Sequence, residues 1–337
     1  MKTIICEKPG LFSQKDTPTP QPVKGEVLLK IERVGVCGTD LHAFAGNQAY
    51  FTYPRILGHE LAAVIEDSNG SLTWKKGDKV VVIPYIHCGK CVACLQGKTN
   101  CCTRLKVLGV HTDGGMQEYF ALSEELLLPA ENLSFEEMAI VEPLAVAAHA
   151  VKRAKVEKGE QVLVMGCGPI GIGIMVFAKL AGATVTALDI NESRLQFVKE
   201  QIGIKNTVLA SAHLLEEINE ITDSQLFNAV FDATGHKLAL ESGPEYMSHG
   251  GRFLLVGLSK GDLVFNHPAI HAKESSILCS RNATARDFRE VIAVLKSGKF
   301  PTETFITHHL SFDKVVNEFE SLTQPENMVI KGMVQVS

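Results

Sequence analysis

Hydrophobic and polar positions change rhythm along the 337-residue chain, and the change divides it. Glu26–Val34 (EVLLKIERV) alternates apolar and polar side chains, the period-2 pattern of a half-buried strand. Lys76-Gly77-Asp78-Lys79 forms a turn into an apolar strand at Val80–Ile83. Gly and Pro punctuate the chain up to Pro129, which predicts an irregular, mostly antiparallel β domain. Near Ser134 the pattern turns helical. Ser134 and Glu137 carry the spacing of a capping box, and the run to Val151 has apolar residues at helical intervals. From Gln161 short apolar strands alternate with helices: Gln161–Met165, Pro169–Leu180, Thr184–Asp189 and Glu192–Gln201. That alternation predicts a parallel, doubly wound sheet, with further strands at Ala229–Asp232, Arg252–Val256 and Ser276–Cys279. A helix over Asp287–Lys296, the segment Phe305–Leu310, another helix and a last strand Ile330–Val336 form a tail expected to rejoin the first domain. The predicted class is α/β. Its parts are a mostly β domain over 1–147, a parallel-sheet domain over 148–284 and a return segment over 285–337.

Composition narrows the function. The length exceeds what one hydrophobic core usually fills, in keeping with two domains. With 45% hydrophobic and 21% charged residues the chain is ordinary globular material, not a disordered one. Its net charge of -5 comes from interleaved acids and bases, without the basic face that a nucleic-acid binder needs. The start, MKTIICEKPG, has no long apolar stretch of the kind a secretory signal carries. No apolar run approaches the ~20 residues of a membrane span, since glycines and Lys179 interrupt the most apolar segment, Gln161–Leu188. A cytoplasmic protein with no membrane partner is expected. In a reducing compartment a cysteine cluster signals metal more often than disulfides, and five of the nine cysteines lie between Cys88 and Cys102.

Cys88, Cys91, Cys94 and Cys102 bring four thiolates into one short loop, which suits tetrahedral zinc. Four cysteines leave no open position, so this metal fixes the loop, and Cys101 is a bystander. A second set of donors is scattered over Cys37-Gly-Thr-Asp-Leu-His42, Gly58-His59-Glu60 and Val141-Glu142-Pro143. Catalytic zinc takes three protein ligands and keeps one position open. Cys37 and His59 are suitable donors, and either Glu60 or Glu142 supplies an oxygen. Asp40 is expected to accept the ring N–H of His59 and set its tautomer.

The stretch Gly166-Cys-Gly168-Pro169-Ile170-Gly171 follows one strand and opens a helix. Gly166 permits the tight turn, Gly168 lets backbone approach a pyrophosphate at the helix N-terminus, and Gly171 lets helix and strand pack closely. Asp189 ends the next strand, where it accepts hydrogen bonds from ribose hydroxyls and repels a 2′-phosphate, so NAD is expected rather than NADP. Arg194 is a candidate to flank the adenine or else lies on a solvated helix face, and Val256 is a candidate to meet the nicotinamide through backbone groups or else simply ends its strand.

In this order, the Cys37 motif, Gly58-His59-Glu60, the four-cysteine loop and the glycine motif resemble the zinc-dependent medium-chain dehydrogenase/reductase superfamily. The segment Glu142-Pro-Leu-Ala-Val-Ala-Ala-His149 is similar to the sorbitol (polyol) and sugar-acid dehydrogenase branch. The resemblance implies a GroES-like, mostly β catalytic domain plus a Rossmann domain, two zinc ions per subunit, NAD, and a dimer or tetramer. It implies zinc ligands at Cys37, His59 and a glutamate. Glu60 is favoured as the direct one, with Glu142 a ligand in some states or holding the zinc-bound water. It implies that Thr39 begins a proton path and that His42 passes the proton to solvent. The chemistry is hydride transfer: zinc acidifies a secondary hydroxyl on a small polar polyol or sugar acid, and the nicotinamide accepts the hydride, leaving a ketone. The alternative is an L-threonine 3-dehydrogenase or other secondary alcohol dehydrogenase. Zinc-free quinone reductases of the same fold usually lack the four-cysteine loop and the Cys37/His59 pair. Candidate substrate contacts are Phe44, Tyr50, Arg281 and Asn282, with Arg281 suited to a carboxylate or phosphate.

Overall fold

The apolar runs become strands, and a computed structural model describing residues 1–48 and 51–337 shows how they pair. In chain order the strands are β1 (Lys2–Lys8), β2 (Leu11–Asp16), β3 (Glu26–Val36), β4 (Glu60–Asp67), β5 (Lys79–Val82), β6 (Tyr85–Ile86), β7 (Lys106–Val107), β8 (Tyr119–Ser123) and β9 (Leu127–Pro129). Helix α1 (Gly38–Phe44) lies between β3 and β4, and the short α2 (Val92–Leu95) lies in the cysteine loop. After α3 (Phe135–Ala139) and α4 (Val141–Ala154) come β10 (Gln161–Met165), α5 (Pro169–Leu180), β11 (Thr184–Asp189), α6 (Glu192–Glu200), β12 (Asn206–Leu209) and α7 (Leu214–Ile221). They are followed by β13 (Phe227–Asp232), α8 (Lys237–Ser242), β14 (Met247–Leu255), α9 (His267–Ala272) and β15 (Ser276–Cys279). The tail holds α10 (Ala285–Lys296), α11 (Thr302–Phe305), β16 (His308–Ser311), α12 (Val315–Glu318) and β17 (Gly332–Gln335).

The described chain divides into two compact units, residues 1–143 with 283–337, and residues 144–282. In the first, a seven-stranded sheet runs β16-β17-β3-β4-β5-β9, with β8 also paired to β3. The tail therefore closes the first unit's sheet through β17, antiparallel to β3. Val27, Leu29, Ile31 and Val34 of β3 and Leu61, Ala63 and Ile65 of β4 fill its core. β3 is more buried than its alternating sequence predicts: Leu28, Glu32 and Gly35 are buried too. The strand lies inside the sheet, and α3 packs on both β3 and β4. β1 and β2 form a separate antiparallel ribbon.

The second unit is one parallel sheet of six strands, ordered β12-β11-β10-β13-β14-β15. Counted along the chain this is 3-2-1-4-5-6, the doubly wound dinucleotide-binding order, with its switch point between β10 and β13. Parallel strands buried on both faces have continuous apolar sequences, as QVLVM and FNAVFD do.

Two predicted segments divide, and the strands expected at Arg252–Val256 and Ile330–Val336 run over Met247–Leu255 and Gly332–Gln335. The helical run from Ser134 breaks at Ile140, separating α3 from α4. Pro143 explains it: without an N–H, and with its ring set against the carbonyl four residues back, proline belongs in a first turn, where α4 places it. In the tail the segment Phe305–Leu310 divides, Phe305 ending the helical turn Thr302–Phe305 and His308 beginning a strand. Among the described residues no helix is long and apolar enough to cross a membrane.

Candidate functional site

Strand ends and glycines bring Cys37, His59 and Glu60 together within the first unit. Cys37 follows β3 and caps α1, while His59 leads into β4, which begins with Glu60. One ligand atom from each of the three lies within 4.8 Å of the others. Asp40 pins the two loops to each other. One of its oxygens accepts the Cys37 N–H at 2.9 Å and the other accepts the Gly58 N–H at 3.3 Å. Asp40 stands 3.8 Å from His59 Nδ1, beyond hydrogen-bond reach, so the expected ring N–H bond gives way to these two backbone bonds. Gly114 packs so closely on this loop that a Cβ there would lie 2.3 Å from the Gly58 carbonyl.

The chemistry of the set fits a cation. His59 Nδ1 and Glu60 Oε1 are buried without a hydrogen-bond partner, a costly state for polar groups unless a ligand takes them. Burial lowers the His59 pKa, but Asp40, Cys37 and Glu142 outweigh it and hold the ring well above its ordinary value. Burial pushes the Glu60 carboxyl up against the pull of Lys331. Sulfur, imidazole and carboxylate within 4.8 Å of one another, with Asp40 and Glu142 near, form a donor set suited to zinc.

Lys331, which no sequence motif marks, is 1% exposed and ion-pairs with Glu60 Oε2. Its ammonium also donates to the Val36 carbonyl at 2.9 Å. Opposite Glu60 on β3 sits Gly35, where a Cβ would meet Glu60 Oε2 at 2.0 Å. One carboxylate oxygen of Glu60 is therefore occupied by Lys331 and the other is open. Glu142, in the first turn of α4, is buried and accepts the Tyr85 hydroxyl. It stands close enough to act electrostatically on His59, Glu60 and Tyr85, but is not one of the mutually close three. Tyr85, also unforeseen, rests edge-on against Phe288.

Thr39 is half-buried and His42 exposed, three residues apart on α1 and hence on one helix face. Phe44 is committed to the core, stacked on Phe12 at 5.1 Å and edge-on to Phe319. Tyr50 lies outside the described residues. Arg281 is exposed just beyond β15, in the second unit, and Asn282 follows it with a left-handed φ of 52°.

Between Ile86 and Lys106 only Asn100 and Cys102 are buried, so the cysteine loop has no hydrophobic core of its own. What converges instead is sulfur: Cys88, Cys91, Cys94 and Cys102 place their Sγ atoms within 4.8 Å of one another, with no disulfide. Backbone N–H groups of Cys94 and Thr103 pull the Cys91 thiol down to about 5, while burial and the contact with Cys91 push the Cys94 thiol up to about 12. Cys101 is exposed and outside the group.

In the second unit the glycine motif joins β10 to α5. Gly166 has a φ of 99°, and a Cβ on Gly171 would lie 1.8 Å from the Gly166 carbonyl oxygen, so both positions demand glycine. Gly168 caps α5, with Pro169 at its first position and Ile170 half-buried beside it. Asp189, at the end of β11, accepts the Cys167 N–H at 2.7 Å and the Asn191 N–H at 2.9 Å. A carboxylate has further lone pairs for a ligand. An Arg194 guanidinium nitrogen lies 3.6 Å from where a Cβ on Gly168 would sit. Val256 follows β14 and donates to the Asp232 carbonyl.

Residues 23–132 match the alcohol dehydrogenase GroES-like domain, and residues 169–297 match the zinc-binding dehydrogenase domain. L-galactonate-5-dehydrogenase of Escherichia coli is 38% identical over 99% of this chain and 98% of its own. The chain belongs to the zinc-dependent medium-chain dehydrogenase/reductase superfamily. Sorbitol dehydrogenase of Bacillus subtilis is 31% identical over 99% of this chain and 97% of its own. The crystal structure of RspB, an alcohol dehydrogenase of E. coli CFT073 complexed with NADH, matches with a TM-score of 0.93 at 31% identity, covering 100% of this chain and 99% of that one. Within the superfamily, the first unit is the GroES-like domain and the second the Rossmann-like domain of an oxidoreductase.

Proposed function

We propose that this superfamily member oxidises a secondary hydroxyl of a polyol or sugar acid to the ketone, with NAD as acceptor. The observation that carries the reading is the Cys37–His59–Glu60 set, whose ligand atoms lie within 4.8 Å of one another with His59 and Glu60 buried and Cys37 half-buried. Its two full-length relatives named above act on a sugar acid and on a sugar alcohol. When bound, zinc supplies a Lewis acid for the substrate hydroxyl and NAD supplies the hydride acceptor.

Cys37, His59 and Glu60 would hold the catalytic zinc. A thiolate and a carboxylate balance the charge of the dication. Lys331 keeps Glu60 Oε2 turned away, so Glu60 offers Oε1 alone. Glu142, held by Tyr85, stands by as a second oxygen donor. Thr39 Oγ1 would accept the proton leaving the substrate hydroxyl while giving up its own hydroxyl proton toward His42, on the same face of α1 and exposed to water. The sum is alcohol plus NAD⁺ to ketone, NADH and H⁺. Cys88, Cys91, Cys94 and Cys102 hold a structural zinc. Gly166 to Gly171 would cradle the pyrophosphate, Asp189 would take the adenosine ribose, Arg194 would flank the adenine, and Val256 would meet the nicotinamide. Arg281 recognises an acidic group on the substrate. The catalytic domain comprises residues 1–143 and 283–337, and the enzyme works in the cytoplasm as a homo-oligomer, its thiol ligands kept reduced there.

The test pairs zinc analysis with a screen for NAD reduction over hexitols, hexonates, their phosphates and L-threonine. Two zinc ions per chain and turnover of a hexitol or hexonate are expected. One zinc per chain would remove the catalytic centre, and turnover confined to L-threonine would replace the substrate class.

A further inference from the structure

The switch point of the parallel sheet has two walls: the glycine loop after β10 and the turn after β13. The second wall is built on a buried acid. Asp232, the last residue of β13, is fully buried among backbone donors, and no cation pairs with it among the described residues. Its Oδ1 accepts the Thr234 hydroxyl at 2.5 Å and the Thr234 N–H at 3.3 Å, and its Oδ2 accepts the Gly235 N–H at 3.0 Å. The Thr234 hydroxyl accepts in turn from the His236 N–H at 3.0 Å. The Asp232 carbonyl takes the N–H groups of Val256 and Gly257 at 3.1 and 2.9 Å, binding the loop after β14 to the same residue.

The packing around this turn has no slack. A Cβ on Gly257 would lie 2.2 Å from the Gly235 nitrogen and 2.6 Å from Asp232 Oδ2. A Cβ on Gly166, the first glycine of the motif, would lie 2.9 Å from the Thr234 methyl and 3.2 Å from the Ala233 carbonyl carbon. Asp232 thus sets the shape of a turn that touches the glycine loop on one side and the loop after β14 on the other. Burying an acid beside donors alone is costly, and burial raises its pKa, with the Thr234 and Gly235 bonds opposing. An apolar residue in its place would leave the Thr234 and Gly235 N–H groups without this acceptor and the turn without its anchor.

We propose that Asp232 is a positioning residue for the dinucleotide: without touching it, Asp232 holds the Thr234–His236 turn and Gly257 in the geometry that the cofactor meets. The role rests on the reading that the second unit binds NAD. The experiment is NADH binding to the zinc-loaded full chain, followed by fluorescence, alongside the unfolding midpoint without cofactor. Asp232→Asn, which cannot accept from both sides of the turn, raises the NADH Kd about tenfold, the loss expected when charge-assisted bonds to backbone fail. Thr234→Val, which deletes only the hydroxyl relay, raises it severalfold, and Thr234→Ser restores it. A purely structural role would lower the unfolding midpoint and leave the Kd unchanged. Binding within twofold of wild type in both Asp232→Asn and Thr234→Val overturns the proposal. Should Asp232→Asn fail to fold, the contrast between Thr234→Val and Thr234→Ser decides alone. Wild-type protein that binds no NADH overturns the dinucleotide reading, and this role with it.

Discussion

Among single residues, Lys331 has the largest consequence for the least sequence signal. A lysine near the end of a chain is ordinarily a solvated charge, and nothing local marks this one. Only the return of β17 to β3 buries it against Glu60 and the Val36 carbonyl. Breaking a buried pair leaves an uncompensated charge, a cost of roughly 3–5 kcal/mol. Zinc on Glu60 would offset that charge. Lys331→Met is therefore expected to destabilise the chelator-treated protein by several kcal/mol more than the zinc-loaded one. Denaturant unfolding of wild type and variant, each with and without zinc, measures the difference. Equal losses in the two states would show that Lys331 and the metal do not share Glu60. Gly35 follows the same logic: it lies just past the predicted Glu26–Val34 strand, and the Glu60 carboxylate fills the space that its missing side chain leaves.

At the level of elements, chemistry was legible where it is local. The capping box at Ser134 is formed as the spacing predicts, with the Glu137 N–H donating to Ser134 Oγ at 3.1 Å and the Ser134 N–H to Glu137 Oε2 at 2.8 Å. Pro169–Leu180 and Thr184–Asp189 have the predicted limits, because a glycine turn and proline fix the helix start while an apolar run fixes the strand. The short edge strand β12 escaped notice, since Asn206–Leu209 is too brief and too exposed for periodicity to show. The α3–α4 break was readable from Pro143 but masked by a continuous apolar pattern. Partnerships across the chain, such as Tyr85 with Glu142, leave no trace in spacing. Asp189 shows how a legible residue gains a second duty. Its carboxylate ties the glycine loop to the end of β11 through the Cys167 N–H, besides standing where a ribose is expected. Asp189→Ala should weaken NAD binding by roughly ten- to a hundredfold, two charge-assisted bonds being lost. It should also narrow the preference for NAD over NADP, because the repulsion of a 2′-phosphate disappears. Titrations with both cofactors check this; an unchanged ratio would leave Asp189 a loop anchor only.

Over the whole molecule, metal and dinucleotide chemistry are assigned to separate compact units, each with its own core. The cysteine loop depends on metal in a way that the parallel sheet does not. Between Ile86 and Lys106 two buried residues cannot offset the conformational entropy of ordering the segment, which is roughly 1–2 kcal/mol per residue for backbone alone. Four thiolates on one zinc supply what packing does not. The sheet of the second unit, by contrast, buries Leu163, Val230, Phe227 and Phe253 with no metal donors among them. Zinc removal by a strong chelator under reducing conditions is expected to expose the loop to proteolysis first, with cleavage between residues 87 and 105. NADH binding should survive, with its Kd changed by less than about threefold, roughly 0.6 kcal/mol. Limited proteolysis mapped by mass spectrometry, with NADH titration of the same sample, reads both effects. Cleavage scattered through residues 144–282 at the same rate, or NADH affinity lost together with the metal, would mean that the two units do not hold their structures separately.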